Sequence, residues 1–409
     1  MIQAFPVLFG GMERPALDLN FAALKQLDPR VTFTRASSGT YIDQAGLVQT
    51  AGTNVPRFTH DLAGASLGLL VEEARTNAFT YSAEFDNAAW SKNALTINAN
   101  AATAPDGTAS AEAVLEAATT DAHQMTSTLG VSGSSAARTL SVFAKANGRS
   151  WLRLNLNDGT NRQAWFDVAN GVVGTTGSGV TAMITAFPNG WFRCAITTTS
   201  THVISVIAVA SADNTLSYAG NASLGLLLWG AQFEVGAFAT SYIATTGASA
   251  TRAADVATMT GTDFSAWYRQ DGGTLVAEFR VSSNFASNGS NGFFVSDGGT
   301  SSRFNVAAFN GLLNFFANAV VGGTQVNANL AAPAPGALIR AVMAMQADNV
   351  GYAANGVSGV DSSAVLPVVN QMQVGGVPGL SAYVNGPIAR IRYWRRRLPD
   401  SQLQLLSRL

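Results

Sequence analysis

The sequence predicts an all-β protein, and three observations support this prediction. Polar and apolar residues alternate in many short runs, such as residues 139–145 and 151–156, as they do in strands that bury one face. Turn-forming dipeptides such as Asn147-Gly148 and Asn170-Gly171 separate these runs, at the spacing of roughly 8–12 residues found in sandwiches and barrels. Helical patterns are few, so a fold that alternates strands and helices is not expected.

The composition is typical of large cores under a weakly charged surface. The chain has 409 residues, of which 47% are hydrophobic and 12% are charged, whereas globular domains usually have ~25% charged residues. This length predicts roughly two or three domains. The formal net charge of −1 argues against a nucleic-acid partner, which requires a basic surface. Because Cys194 is the single cysteine, no disulfide can form within the chain, and a disulfide-stabilised secreted protein is excluded.

The sequence predicts three segments. Residues 1–77 contain short motifs with weak periodicity and are interpreted as an N-terminal attachment region. Residues 78–245 and 246–409 each contain a run of strand patterns and are predicted to form two separate β-sandwich domains. The small polar residues 245–251 are interpreted as the linker between them.

The ends of the chain carry further signals. A short closing helix is predicted after Pro399, because Asp400 suits a first helical turn and Leu403 and Leu406 would share one face. No apolar run reaches the ~18 residues that a membrane-spanning helix needs, so membrane insertion is not expected. The first residues lack the basic stretch of a signal peptide, so we expect synthesis and folding in a reducing cytoplasm.

A series of short phrases lies between residues 31 and 255. In sequence order they are VTFTRAS (31–37), VPRF (55–58), GLLVEEARTN (68–77), PDG (105–107), FAK (143–145), NGWFR (189–193), LWGAQFE (228–234), TSYI (240–243) and TRAAD (251–255). In this order and spacing the phrases resemble a modular structural family of tailed bacteriophages, found in head-fibre and tail-fibre proteins. The resemblance implies an N-terminal part that attaches to the virion, followed by a jelly-roll domain like a carbohydrate-binding module.

The C-terminal segment carries a second resemblance. Residues 273–279 near its start, and residues 389–394 and 397–398 at its end, are similar to those of concanavalin A-like, or laminin-G-like, sandwiches. The acidic cluster with which such lectins bind metal has no match in this chain. The acidic residues that could have formed it are scattered: Asp297, Asp348 and Asp361. We therefore expect no metal and no other cofactor.

The two resemblances imply a virion fibre or spike protein of a tailed phage that attaches to the host surface by binding a glycan. Its expected partners are other virion proteins, contacted through the N-terminal region, and a glycan of the host cell surface. Its expected location is the surface of the capsid or tail, after synthesis in the bacterial cytoplasm. Two alternatives stay open, namely a glycan-hydrolysing tailspike and a purely architectural capsid or tail protein without a ligand.

Aromatic and amide side chains are the candidate glycan ligands. Exposed aromatic rings can stack on the C–H faces of sugars, and amides can hydrogen-bond to sugar hydroxyls. The candidates are Trp151, Asn155, Asn157, Trp165, Trp267, Tyr268, Tyr352 and Trp394. For each ring, packing in the core is the alternative. Trp191 and Trp229 lie in strongly apolar strands and are interpreted as core residues.

No catalytic residue is predicted, and the chain is not expected to be an enzyme. Residues 64–68 match the G-x-S-x-G nucleophile elbow, but the elbow needs a strand before Ser66 and a helix after it, whereas this sequence favours a turn and then a strand. No two histidines have the spacing of metal ligands: His60, His123 and His202. Glycoside hydrolysis needs two facing carboxylates, and the adjacent Glu72 and Glu73 would point to opposite faces of a strand.

Outward apolar residues predict a symmetric homo-oligomer, most simply a homotrimer. Phe315 and Phe316 are neighbours in a strand pattern, so one ring is expected to face the core and the other to face outward. Residues 69–71, Leu-Leu-Val, are likewise consecutive apolar residues, so at least one of these side chains is expected to face outward. Outward apolar groups on a weakly charged surface usually mark an interface.

Overall fold

A computed structural model of the chain describes residues 13–128, 135–201, 204–280, 290–299, 302–309, 312–319, 323–331, 336–377 and 382–408. Within these ranges the protein consists mainly of strands joined by turns, with three short α-helices. The predicted all-β fold class is confirmed.

The strands and helices have the following bounds. The strands are β1 (Leu17–Asn20), β2 (Thr32–Thr34), β3 (Gly39–Ile42), β4 (Val48–Ala51), β5 (Phe58–His60), β6 (Ser66–Val71), β7 (Arg75–Asn77), β8 (Ser91–Asn93), β9 (Leu95–Ala102), β10 (Ala111–Glu116), β11 (Thr120–Asp121), β12 (Gln124–Thr128), β13 (Ala136–Asn147), β14 (Trp151–Asn157), β15 (Asn161–Asp167), β16 (Val172–Thr176), β17 (Val180–Phe187), β18 (Trp191–Ser200), β19 (Ile204–Ala210), β20 (Tyr218–Ala219), β21 (Gly225–Val235), β22 (Ala250–Arg252), β23 (Val256–Thr260), β24 (Gly272–Arg280), β25 (Ser290–Ser296), β26 (Arg303–Phe309), β27 (Leu312–Ala319), β28 (Gly323–Ala331), β29 (Leu338–Gln346), β30 (Val350–Ala354), β31 (Val357–Asp361), β32 (Gln371–Gln373), β33 (Gly376–Val377), β34 (Ala382–Tyr383) and β35 (Gly386–Trp394). The helices are α1 (Phe21–Leu24), α2 (Gly261–Ser265) and α3 (Asp400–Ser407).

The chain divides into two compact units. The central unit is Thr34–Asp255, and the terminal unit combines Met1–Phe33 with Val256–Leu409. These boundaries differ from those expected after residues 77 and 245. Strand β7 pairs with β22 inside the central unit, and β1 pairs with β35 inside the terminal unit. The predicted attachment region is therefore shared between the two units, through pairings between distant residues that local sequence patterns do not reveal.

The central unit contains a sandwich of two antiparallel sheets. One sheet has the strand order β17-β18-β13-β21-β10-β9, and the other has the order β16-β15-β14-β19-β12-β8. Both sheets turn alternate apolar residues inward, including Leu140 and Val142 from β13, Leu152 from β14 and Ile207 from β19. Because these side chains form one buried cluster, the two sheets pack face to face. Cys194 lies in the same core, as predicted.

The terminal unit contains two further sheets and the closing helix. One sheet includes β31, β30, β29, β24, β35 and β1, and the other includes β23, β32, β25, β26, β27 and β28. The ring of Phe315 on β27 lies 5.4 Å from the ring of Tyr352 on β30, so the two sheets meet at this point. Helix α3 begins at Asp400, directly after Pro399, and buries Leu403 and Leu406, which confirms the predicted helix. None of the helices in the described ranges has the length and hydrophobicity needed to cross a bilayer.

The structure describes only some of the apolar side chains on which the predicted oligomer is based. Leu69, Leu70 and Val71 are all buried within the chain, because β6 does not alternate between core and solvent, so they present no outward apolar group. Phe315 is buried, whereas the side chain of Phe316 lies outside what the structure describes. The predicted homo-oligomer therefore loses part of its sequence support.

Candidate functional site

Four predicted ligands lie together on one sheet of the central unit. Trp151, Asn155 and Asn157 occupy alternate positions of β14 and therefore share one face with Arg153, while the three leucines of the strand face the core. Trp165 on β15 pairs with Arg153 and lies on the same face. We call this face the polar sheet face and define it by Gln124, Trp151, Arg153, Asn155, Asn157, Asn161, Gln163 and Trp165.

The polar sheet face is only partly open. Trp165 is 1% exposed, and its Nε1 donates to the carbonyl of Thr215 at 3.3 Å, so this ring is not available to stack on a sugar. Asn155 is also buried, and its Nδ2 donates to Oδ1 of Asn161 at 2.9 Å. Trp151 and Asn157 are half-buried, so they are the predicted ligands that solvent can reach here.

The four predicted ligands of the terminal unit do not converge. Trp267 and Trp394 are 1% and 3% exposed, so both rings belong to the core. Tyr352 packs against Phe315 between the sheets. Tyr268 is the exception, because it lines an open cavity of about 710 Å³ and stacks on Phe264 with 4.7 Å between ring centroids. No charged residue lines this cavity among the described residues.

The central unit holds a second cavity, of about 470 Å³, which the sequence did not predict. It is bordered by the β3–β4 hairpin, the loops before β8 and β10, strand β21 and the segment after β21. We call it the central pocket. Its lining is Thr40, Val48, Gln49, Thr50, Ser82, Ala83, Glu84, Asp106, Thr108, Ser110, Trp229, Tyr242, Ala244, Thr245 and Thr246.

Two aromatic rings and a set of hydroxyls form the inner part of the central pocket. The rings of Trp229 and Tyr242 lie 4.6 Å apart. The indole Nε1 of Trp229 donates to Ser110 Oγ at 3.0 Å, and the Tyr242 hydroxyl shares a hydrogen bond of 2.6 Å with Ser82 Oγ. Thr245 Oγ1 is buried and has no hydrogen-bond partner among the described residues. Trp229 and Tyr242 are 4% and 5% exposed and belong to a buried cluster, so the pocket offers only a small area of apolar ring surface beside these hydroxyls.

The charge of the central pocket is negative. Glu84 and Asp106 line it, and no Lys, Arg or His does so among the described residues. Burial raises the pKa of Tyr242, and the carboxylates of Asp106 and Glu84 also raise it, whereas the hydrogen bond to Ser82 and the nearby Arg193 act in the opposite direction. A site of this kind accepts hydrogen bonds from hydroxyls and repels anions.

A buried ion network holds the segment that supplies Tyr242 to the pocket. We define it as Arg35, Arg57, Glu72, Arg252 and Asp255, which are all nearly inaccessible to solvent. Arg57 Nη1 donates to Glu72 Oε2 at 2.7 Å, and its Nη2 donates to Asp255. Arg35 Nη1 donates to Asp255 Oδ1 at 3.0 Å. Such charges are costly to bury unless each has partners, so the network fixes which segments meet here.

The network acts on the pocket through Glu72. The backbone N–H and the hydroxyl of Ser241 donate to the Glu72 carboxylate at 2.8 and 2.7 Å, and the adjacent Tyr242 carbonyl accepts a hydrogen bond from Thr40 Oγ1 at 2.6 Å. Burial alone would raise the pKa of Glu72, but Arg252 and Arg57 together with Ser241 lower it to about 2. Glu72 is therefore ionised at neutral pH and holds the 241–242 backbone in place.

The phrases of the phage-family resemblance are the sequence signal that marks this pocket. The phrases behind the phage-family resemblance contain every residue of the buried ion network, and also Asp106, Trp229 and Tyr242. Trp229 was interpreted as a core residue. It is indeed only 4% exposed, but one part of its surface lines the cavity. Strand periodicity separates a core ring from a solvent ring, and it cannot identify a ring that borders both.

The other residues considered for chemistry occupy structural positions. Ser66 begins strand β6 after a turn, the reverse of the order that a nucleophile elbow requires. His123 is fully buried between the carbonyls of Ala94 and Tyr218, and His60 Nδ1 contacts the Ile42 carbonyl. His202 lies outside the described residues. Across the described ranges, no three His, Cys, Asp or Glu side chains gather closely enough to hold a metal ion.

Comparison with known proteins gives limited likenesses. No protein-family model matches the chain, and no curated protein matches it. Among solved structures, the chain is similar to the CBM40 of the Ruminococcus gnavus IT-sialidase bound to α2,3 sialyllactose, with a TM-score of 0.30 and 18% identity, over 34% of this chain and 84% of that one. It is also similar to Trypanosoma rangeli sialidase, with a TM-score of 0.30 and 16% identity, over 37% of this chain and 26% of that one.

A third similar structure is the receptor binding domain of botulinum neurotoxin mosaic serotype C/D, with a TM-score of 0.29 and 7% identity, over 37% of this chain and 39% of that one. All three likenesses extend over little more than a third of the chain. Likenesses of this extent do not establish the fold, and the sandwich architecture is shown by the sheets and buried cores of the chain itself.

Proposed function

We propose that the chain is a virion fibre or spike component of a tailed phage, which attaches to the host surface by binding a neutral glycan in the central pocket. The observation that carries the glycan-binding part is the lining of this pocket. Two aromatic rings lie beside many hydroxyls and two carboxylates, and no cation lines the pocket among the described residues. The proposal that the protein belongs to a virion rests on the phage-family phrases in the sequence.

The pocket lining suits a neutral sugar for physical reasons. A sugar ring has apolar C–H faces, which pack on aromatic rings, and hydroxyls, which donate well to carboxylates. A volume of about 470 Å³ falls in the range of roughly 300–1,000 Å³ that is usual for small-ligand sites. An anionic sugar would be repelled by Glu84 and Asp106, which no basic lining residue offsets.

The proposed place in a virion is supported by two features of the sequence. The phage-family phrases are in order over residues 31–255, and the surface charge is unusually sparse, which suits a protein held in a large assembly. We place the contacts with other virion proteins in residues 1–77. The proposed location is the surface of the capsid or tail.

A second candidate function is glycan hydrolysis, and one observation favours it. Glu84 and Asp106 line the same cavity, and a glycoside hydrolase uses a pair of carboxylates, one as acid and the other as base or nucleophile. We propose binding without cleavage. Incubation with host capsular or cell-wall polysaccharide should leave its viscosity and its content of reducing ends unchanged. A release of reducing ends that Glu84→Gln and Asp106→Asn both abolish would make the protein a hydrolase instead.

A glycan array tests the binding proposal. The full-length chain should bind a subset of neutral glycans, and the Glu84→Ala variant should bind them less well. Normal incorporation into virions without binding to host cells or to any glycan on the array would favour the architectural alternative. That outcome would contradict the proposed function.

A further inference from the structure

The polar sheet face contains a cation without a counter-ion. Arg153 is 6% exposed and lies between Trp151 and Asn155 on β14. Its Nε donates to Gln163 Oε1 at 2.9 Å, and its Nη1 reaches Gln124 Oε1 at 3.4 Å. Both acceptors are neutral amides, so Arg153 has hydrogen bonds but no ion pair within the described residues.

Carboxylates near this face bond to other groups. Asp167 lies on the same face two positions along β15 from Trp165, and it accepts hydrogen bonds from the backbone of Ala169 and the side chain of Asn170. Residues 129–134 and 202–203, which the structure does not describe, contain no Asp or Glu in the sequence. Asp213 lies beside Trp151, since both approach Gly174, and it accepts hydrogen bonds from the backbone N–H and the hydroxyl of Thr175. Neither carboxylate forms an ion pair with Arg153.

Arg153 Cζ lies 5.7 Å from the centroid of the Trp165 ring, a cation–π contact. A buried guanidinium without an ion pair still costs free energy, and that cost is usually offset by an anion. Burial lowers the pKa of Arg153 to about 10, and no neighbouring carboxylate counteracts the shift. Arg153 nevertheless remains charged at neutral pH. Its planar fork of N–H donors matches the two oxygens of a carboxylate, and its Nη2 has no hydrogen-bond partner among the described residues.

The groups around Arg153 suit a sugar. Trp151 is half-buried and can present part of its ring to a C–H face. Asn155 Oδ1 is buried and has no hydrogen-bond partner among the described residues. Asn157 and Gln163 are half-buried amides on the same face. The two half-buried amides can exchange hydrogen bonds with the hydroxyls of a bound sugar.

We propose that the polar sheet face binds a saccharide that bears a carboxylate, such as a uronic acid, with Arg153 holding the carboxylate and Trp151 and Asn157 contacting the ring. This site lies beyond the proposed function, because it prefers an anionic sugar, whereas the central pocket prefers a neutral one. The protein would then recognise a neutral and an acidic sugar at two separate places on one unit.

The test uses the full-length chain and sodium D-glucuronate as the probe. Titration at pH 7 and constant ionic strength should shift the indole signal of Trp151 in a saturable way, whereas D-glucose and acetate should not. The Trp151→Phe variant assigns that signal. Arg153→Gln should weaken glucuronate binding by about tenfold or more, since a charge-assisted contact is lost.

The matched control is Arg162→Gln. Arg162 lies on β15 opposite Leu156, so it is on the other side of the sheet from Arg153. Its loss removes the same charge and should leave glucuronate binding within about twofold. The wild-type titration decides the question even where Arg153→Gln fails to fold. No saturable glucuronate-specific shift, or an equal shift with acetate, overturns the proposal.

The two binding claims can fail separately. Glu84→Ala in the central pocket should weaken neutral-glycan binding by about tenfold or more and leave the glucuronate titration unchanged. Arg153→Gln should have the converse effect. If one variant abolishes both activities while the melting temperature of the chain is unchanged, the two sites are not independent, and the separate acidic-sugar site is overturned.

Discussion

At the scale of single residues, the buried ion network gives the phage-family phrases a physical role. Arg35, Arg57, Glu72, Arg252 and Asp255 are far apart in sequence, yet the structure brings them together without access to water. Buried charged groups need specific partners, because each unsatisfied hydrogen bond and each unpaired charge costs free energy. The network thus specifies how the segments around the central pocket assemble.

Removing one carboxylate from this network should destabilise the central unit strongly. We expect Glu72→Gln to lower the free energy of unfolding by about 3–5 kcal/mol, because Arg57 and Arg252 would remain buried with less countercharge. Urea denaturation followed by circular dichroism measures the change. The control is Asp158→Asn, since the Asp158–Arg162 pair is 3.8 Å apart and partly exposed and should contribute less than about 1 kcal/mol. Similar losses in the two variants would contradict this account.

Acid should remove the contribution of the ionised Glu72 carboxylate to the free energy of unfolding over a defined pH range. Its pKa in the folded chain, about 2, lies below the ordinary value of 4.5. The stabilisation is therefore fully present above about pH 4.5 and is lost as the pH falls towards 2. Denaturation of the wild type and of Glu72→Gln at pH 7 and pH 2.5 should show the difference between them shrinking. A difference that is independent of pH would be inconsistent with an ionised Glu72.

Glu112 should make the free energy of unfolding depend on pH in the opposite direction. Burial, together with the nearby Asp86, raises the pKa of Glu112 to about 7, although the backbone N–H groups of Phe85 and Asp86 donate to it. A raised pKa gives stability that is present below about pH 4.5 and is lost as the pH rises through about 7. The wild type should lose roughly 2–3 kcal/mol between pH 5 and pH 9 through this group. Glu112→Gln should flatten that part of the profile, and an unchanged profile would refute the assignment.

At the scale of elements, local patterns predicted strands well and predicted contacts poorly. Strand β14 spans Trp151–Asn157, over the predicted run 151–156, and helix α3 begins directly after Pro399, as expected. At the turns after β13 and β15, Gly148 and Gly171 have φ of +80° and +68°, which explains the Asn-Gly dipeptides there. The unit boundaries and the central pocket depend on pairings such as β7 with β22, and period-two alternation contains no information about those partners.

Close packing of two strands makes Gly225 irreplaceable. A Cβ at Gly225, where β21 begins, would lie 1.9 Å from the Val114 carbonyl oxygen on β10. Gly225→Ala should force the strands apart and cost about 2 kcal/mol or more. Gly52→Ala is the matched control, because its Cβ would meet only Val55 Cγ2 at 3.9 Å. Thermal unfolding of both variants compares them, and equal melting temperatures would contradict the packing described for β10 and β21.

At the scale of the whole molecule, we expect the burial of apolar side chains, and not a disulfide bond or a bound metal ion, to stabilise the fold. Each unit has a large buried core, and the sequence has a single cysteine. Chelator and reductant should therefore leave the melting temperature unchanged. A clear drop with either reagent, in a scan of the full-length protein by differential fluorimetry, would show that a metal or an intermolecular disulfide contributes.

The homo-oligomer stays a proposal with new support at a sheet edge. Val357 and Val360 on strand β31 are 57% and 47% exposed, and Val365 and Val368 nearby are 56% and 71% exposed. Exposed apolar side chains on a weakly charged surface favour self-association, and several weak glycan sites on one body would raise avidity. Sedimentation should give a multiple of 42.4 kDa. A stable monomer at micromolar concentration would refute the oligomer.

The central claim is that the central pocket binds a neutral glycan, and one titration tests it most directly. The strongest neutral ligand from the array is titrated calorimetrically into the wild type, into Glu84→Ala and into Gln44→Ala. Glu84 lies in the loop before β8 and lines the pocket, whereas Gln44 is exposed in the turn of the β3–β4 hairpin and does not line it. We predict saturable binding that Glu84→Ala weakens by about tenfold or more and Gln44→Ala leaves unchanged. Equal affinities in all three proteins would contradict the claim.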